Sequence, residues 1–300
     1  MEVSRIICRA TRALFAVILL WFGCGLLGAQ QQTPSKPGVS DLPPQSSVGT
    51  PAPTVGAGTP PVIGKQAIEQ QDSAAAQLQR AAKAQEAARG RKGPRRLQLL
   101  HDAILYYSAV SYWWPAAKTE LAMAAYRRGE IHRALQESGE ARGAFEEVLE
   151  ATLPADDLYI RALLELGHLD RREQRWSFAV ARYQQAIACE KASLRFRNDA
   201  REWLVKVHLK TMAWHSVVVA ADQWLSVCEG PAEEIRILDF QIRAKIGGRQ
   251  LRQADQMLMD LRARMAVLAA APSGEGTRVQ SALDQMKAPA ALDLARQNGR

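Results

Sequence analysis

Small and large apolar residues recur along this chain at a helical period. Ala103, Ala141, Ala179, Val217 and Ala254 follow one another at steps of 38, 38, 38 and 37 residues. Four positions after each stand Tyr107, Phe145, Tyr183, Ala221 and Leu258, and three further on Val110, Val148, Ala186, Trp224 and Leu261. Offsets of four and seven put all three residues of a set on one face of an α-helix. A second helix precedes most sets: Leu163, Leu166 and Gly167 lead into Ala179, and Gly129 stands twelve before Ala141 as Gly167 stands twelve before Ala179. The pattern is clearest over 160–193, good over 122–155 and weaker over 198–231. In that weaker stretch Val205 replaces glycine, Val217 alanine and Ala221 the aromatic, with Trp203, Trp214 and Trp224 expected to refill the space. The 235–268 stretch shows through Leu238, Ala254 and Leu258, and the one ending near Pro115 begins with an alanine-rich helix over 67–89. Breakers fall between units, at Leu153-Pro154 and Gly230-Pro231. Alternating strand patterns are absent.

The large, large, small, then small, aromatic, small order of Leu163, Leu166, Gly167, Ala179, Tyr183 and Ala186 resembles a tetratricopeptide (TPR) unit. The period is a few residues longer than that family's usual one of about 34. The resemblance implies an all-α fold, an α-α superhelix or TPR-like solenoid of about five helical hairpins. Close helix crossing then needs a small contact, expected between Gly167 and Ala179. In that family the first helices line a concave groove that binds partners. Carried over, its contact positions fall on Arg161, Leu164, His168, Arg171 and Arg172 in the clearest unit. They fall on Asp199, Glu202, Lys206, Leu209 and Lys210 in the next, and on Arg236, Asp239, Arg243 and Ile246 in the last. Arg161, Leu164, His168, Arg171, Arg172, Lys206, Lys210 and Arg243 are the candidate partner contacts. The family's clamp for C-terminal carboxylates is not supported, because Leu164 and His168 occupy its polar positions. The expected function is non-catalytic protein binding, to an acidic or extended partner.

The N-terminal region has a different character. Arg5, Arg9 and Arg12 precede an uncharged run from Ala13 to Gly28, and Leu27-Gly28-Ala29 closes it. Basic, apolar, then small is the order of a secretory signal peptide over 1–29. Three fates are open: cleavage after Ala29, retention as a membrane anchor, or lipidation at Cys24. All three export the remainder, most simply to a bacterial periplasm, with a membrane tether in the last two. Residues 30–65 follow, with eight of the chain's fourteen prolines among Ser, Thr and Gly and almost no large apolar residue. Such a segment is expected to be a disordered linker, having too little surface to bury. The repeat domain is expected over 66–270, with a tail or capping helix over 271–300.

Composition narrows the chemistry. Apolar residues make up 47% of the chain, and 39 Lys and Arg stand against 31 acids, for a net charge of +8. That balance favours acidic partners or is a solvated surface. The five histidines lack metal-ligand spacing on any one helix. Gly-x-Ser-x-Gly, His-Glu-x-x-His, Cys-x-x-Cys and phosphate-binding glycine loops are absent. No enzyme activity and no cofactor are expected. Arg89, Arg91, Lys92, Arg95 and Arg96 could hold phosphates or simply solubilise a turn, and export makes nucleic acid an unexpected partner. Cys189 and Cys228 near the ends of successive second helices are expected to stay thiols, since stacked helices lie ~8–10 Å apart and a disulfide needs Cα atoms within about 7 Å.

Overall fold

The computed structural model describes residues 60–64, 66–270 and 274–298. The signal segment over 1–29, Cys24 and nearly all of the linker lie outside the described residues. The chain enters through a short antiparallel bridge, β1 (Val62–Ile63) with β2 (Gln66–Ala67), in which Val62 faces Ala67. Ile68 is buried just beyond it, and its carbonyl accepts the Trp113 indole N–H at 3.3 Å.

Twelve helices follow among the described residues, and the first ten pair off. They are α1 (Ala74–Glu86) with α2 (Gly93–Trp113), α3 (Lys118–Leu135) with α4 (Ser138–Ala151), and α5 (Asp157–Arg172) with α6 (Trp176–Ala188). The remaining pairs are α7 (Leu194–Lys210) with α8 (Trp214–Leu225) and α9 (Pro231–Gly247) with α10 (Leu251–Ala269), and α11 (Gly274–Asp284) and α12 (Ala288–Asn298) each pack on that last pair. These five pairs are the helical hairpins expected from the 38-residue period. Consecutive first helices touch (α3 with α5, α5 with α7, α7 with α9), whereas the second helices α2, α4, α6, α8 and α10 do not touch one another. The array therefore curves, with the first helices on its inner side. Each hairpin buries its neighbour's face, as in other stacked repeats.

The same turn closes four of the hairpins. Gln136, Gln174, Met212 and Arg249 all take left-handed backbone angles, with φ of 66°, 59°, 57° and 60°. The next residue's N–H reaches back to the helix end in each case: Glu137 to His132 O at 2.9 Å, Arg175 to Asp170 O at 2.8 Å, Ala213 to His208 O at 2.9 Å and Gln250 to Lys245 O at 2.8 Å. This six-to-one bond satisfies carbonyls that the helix end would leave open. The α1–α2 connection is longer and uses Gly90 and Gly93 at positive φ.

Inside each hairpin the contact is between a small residue and a ring. A Cβ on Gly167 would lie 2.6 Å from the Tyr183 ring, and one on Gly129 2.6 Å from the Phe145 ring. The room that Gly167 leaves is thus taken by the Tyr183 ring, in the same core as Ala179. In α7–α8 the sizes exchange, with Val205 against the chain position of Gly167 and Ala221 against that of Tyr183, both fully buried. The three tryptophans all pack in or against the core that holds Val205, Val217 and Ala221, each in its own way. Trp224 is buried with its N–H on Glu233 at 2.9 Å, and Trp214 lies over Gly247 of the next hairpin, where a Cβ would meet its ring at 2.6 Å. Trp203 turns to the inner face.

Polar ties cross between hairpins. Asp170, fully buried on α5, receives Arg142 of α4 at 2.8 Å and Arg175 at 3.1 Å, and Arg142 also holds Glu173 at 2.8 Å. Arg133 of α3 pairs with Glu165 of α5 at 2.7 Å. The thiol of Cys189 is reduced and buried, and donates to the Gln185 carbonyl at 3.2 Å. Helices α11 and α12 pack Val279, Ala288 and Leu292 against α9 and α10. Among the described residues no helix is long and apolar enough to cross a membrane.

Candidate partner-binding groove

The inner face is built from α3, α5, α7 and α9, and its candidate contacts separate into two clusters. The first centres on Trp203 of α7. The Arg171 guanidinium lies 4.6 Å from its ring, the Lys206 ammonium 4.3 Å, and the His168 ring meets it edge-on at 4.8 Å. Cations near an indole face are attracted by its quadrupole. Arg161 sits one turn and more away, 4.4 Å over Tyr126 of α3 and 5.9 Å from Phe196 of α7. Stacking of this kind holds the long side chains in place.

His168 is the buried centre of that cluster. Its Nδ1 lies 2.8 Å from the Tyr183 hydroxyl. Burial first, then the Arg171, Arg133, Arg172 and Lys206 charges, lower its pKa to about 4. The ring is therefore neutral near pH 7, and Nδ1 can accept. Burial also raises the Tyr183 pKa, so its hydroxyl keeps the proton and donates it to that nitrogen. His168 thus joins the ring seated on Gly167 to the tryptophan on the groove surface.

The carried-over positions have unequal fates. Leu164 is only 7% exposed and belongs to the core shared with Tyr183 and Trp224, so it packs and offers no surface to a partner. Arg172 is exposed, and among the described residues neither it nor Arg171 makes an ion pair. Lys206 is shared with Glu202 at 2.6 Å, and Arg236 reaches the same carboxylate at 3.5 Å. Trp203 packs against the core, as its sequence predicts, and its ring also gathers the cations of the inner face. It falls four after Asp199 and three before Lys206, a spacing that places it on their face.

The second cluster surrounds a cavity of about 740 Å³ at the far end of the groove. Lys206, Leu209 and Lys210 of α7 face Arg236, Phe240, Arg243 and Ile246 of α9 across it, and Trp214, Met286 and Lys287 are among the other lining residues. Arg243 lies 3.6 Å from Asp239 and 5.6 Å from the Phe240 ring centre. Asp239 is not available to a ligand: its Oδ1 accepts the backbone N–H groups of Lys287 at 2.8 Å and Ala288 at 2.7 Å. It caps α12, whose first amides have no partner within their own helix.

The basic run Arg89, Arg91, Lys92, Arg95 and Arg96 is exposed at the α1–α2 turn, far in the chain from both clusters. Among the described residues no group of three or more His, Cys, Asp or Glu side chains could hold a metal ion.

Two solved structures share this architecture. Both are Podosopora anserina nearly identical TPR-like repeats of the kinesin light chain type, the second a single-residue variant. Each is 14% identical to this chain, with TM-scores of 0.51 and 0.50. The matches span 67% and 68% of this chain and all of theirs. The fold is TPR-like. Neither a protein-family profile nor a curated protein matches the chain. The TPR-like frame accounts for what the two clusters share: both arise where consecutive first helices line the inner side of a curved stack.

Proposed function

We propose that this chain is a non-catalytic scaffold that holds a protein partner along the inner face of its TPR-like array. The observation that carries this reading is the cluster around Trp203. Arg171 and Lys206 flank an aromatic surface, with Arg161 stacked beside it, and Arg171 and Arg161 have no carboxylate of their own among the described residues. An extended partner segment bearing acids would meet charge and apolar area together. Buried aromatic and arginine anchors are where binding energy concentrates at protein interfaces.

The basic and apolar N-terminal sequence supports export, and a periplasmic setting is part of the proposal. The uncharged run over 13–28 equally supports a tethered form, through an uncut helix or a lipid on Cys24. Mass spectrometry of the mature N-terminus separates these, with Gln30 as the first residue of a released protein.

Affinity capture from envelope extracts is the test of the scaffold. Reversing charge at Arg161, Arg171 and Lys206 should abolish capture of the partner that the native chain retains. Undiminished capture by the triple variant would remove the groove from consideration.

A further inference from the structure

The cavity at the end of the groove has a composition unlike that of an open peptide track. We propose that it is a binding site for a single-chain anionic amphiphile, an acyl carboxylate, with its chain on the apolar floor and its head among the lysines and arginines at the rim. The inference does not rest on the protein-binding reading.

Three observations point to that ligand. The site is walled: α11 and α12 close the end of the groove, and their connecting turn is held down by the two backbone bonds to Asp239. A volume of about 740 Å³ lies within the range of small-molecule sites, roughly 300–1,000 Å³. The floor is carbon-rich, with Trp214, Phe240, Ile246 and Met286. Trp214 is seated there because Gly247 leaves room for its ring.

The polar lining decides the chemistry. Lys206, Lys210, Arg236, Arg243 and Lys287 supply five cations, while Glu202 and Asp239 are the two acids. Both acids are occupied, Glu202 by Lys206 and Arg236 and Asp239 by Arg243 and the α12 amides. Among the described residues Lys210 and Lys287 have no ion pair, and both are exposed at the rim. The side chains therefore offer many donors, and the Gln285 amide oxygen is the one acceptor outside the two engaged acids. A peptide brings an N–H at nearly every residue and would leave those donors without partners. A carboxylate on an alkyl chain only accepts, and the rest of it needs only apolar contact.

Calorimetric titration of the full chain with dodecanoate, below its critical micelle concentration, tests this. One saturable site is expected, and dodecanol should bind at least tenfold more weakly. The double variant Lys210→Glu, Lys287→Glu should lose at least tenfold in affinity, with its helical circular dichroism unchanged. Ala282→Phe, which fills the cavity from α11, should abolish binding and provides a second variant. The Met286 methyl resonance, assigned with Met286→Leu, should shift on titration of the native chain. Non-saturable uptake, equal binding of dodecanol or an unaltered affinity in both variants would overturn the assignment. So would displacement of dodecanoate by an acidic peptide that binds more tightly, which would give the cavity to the protein partner. Loss of partner capture on reversing Arg161 and Arg171 leaves all these outcomes untouched, so the two proposals fail separately.

Discussion

The hairpins α5–α6 and α7–α8 are neighbours with the same geometry and opposite fillings. In the first, Gly167 admits the Tyr183 ring; in the second, Val205 occupies the glycine position and Ala221 the ring position. Interiors are packed close to crystal density, so what a crossing requires is combined volume and not a particular residue at either place. The exchange has a consequence on the inner face. Tyr183 carries a hydroxyl that reaches His168, and His168 orients against Trp203. Ala221 has no such group, and the position 38 after His168 is Lys206, a charge on the groove surface. One unit buries a neutral imidazole where the next displays a cation.

The two hairpins also differ in how they are tied to their neighbours, and there the largest effect is expected. Asp170 is gripped by Arg142 and Arg175, whereas His208, 38 residues on, is half-buried. Asp170→Ala should cost about 3–5 kcal/mol, the usual loss when one partner of a buried ion pair is removed. His208→Ala should cost less than about 1 kcal/mol, as half-buried positions without such ties usually do. Urea unfolding of the two variants measures the gap, and equal losses would show that Asp170 is not a special tie.

Acid should separate the same two units next. His168 has a folded pKa of about 4, below its ordinary value of 6.5. The unfolded chain binds the proton first, so this group's stability is fully present above about pH 6.5 and is lost as pH falls toward 4. The loss is on the order of 3 kcal/mol at most. His168→Gln should flatten the pH dependence of stability across that window. A slope identical to that of the native chain would contradict the buried neutral imidazole.

A volume swap should have a somewhat smaller effect. Gly167→Val drives carbon into the Tyr183 ring and should destabilise by about 1–3 kcal/mol. Adding Tyr183→Ala reproduces the Val205–Ala221 pair and should recover part of that loss. A double-mutant cycle with no coupling energy would show that the two positions do not share a space.

The smallest effect belongs to the turns. Met212→Gly, at φ 57°, should stabilise by about 0.5–1 kcal/mol. The left-handed strain it relieves exceeds the added freedom of glycine in the unfolded chain. Thermal melts of Met212→Gly and Gln174→Gly should both rise, since the two turns are built alike.

Of these features, the helical pairs were legible in the chain because a 38-residue recurrence of small and large residues marks helix faces directly. The turns were not, since Gln136, Gln174, Met212 and Arg249 carry no turn signature and are forced left-handed by the helices they join. Trp203 was legible only in part: its spacing shares the face of Lys206, but tryptophan in a weak repeat also reads as core. The contact positions inherited from the TPR resemblance included Leu164, which is buried, and Asp239, which α12 claims.

The sequence by itself determined the period, the helical pairing and the basic excess on the first helices, because each is a local property of a face. Only the tertiary structure decided that the Tyr183 ring fills the room left by Gly167, that Trp203 gathers Arg171, Lys206 and His168, and that Asp239 closes the groove by capping a helix 48 residues later. Those contacts depend on how far each hairpin turns relative to the last. That angle is set by the combined packing of two neighbours and is written in neither one alone.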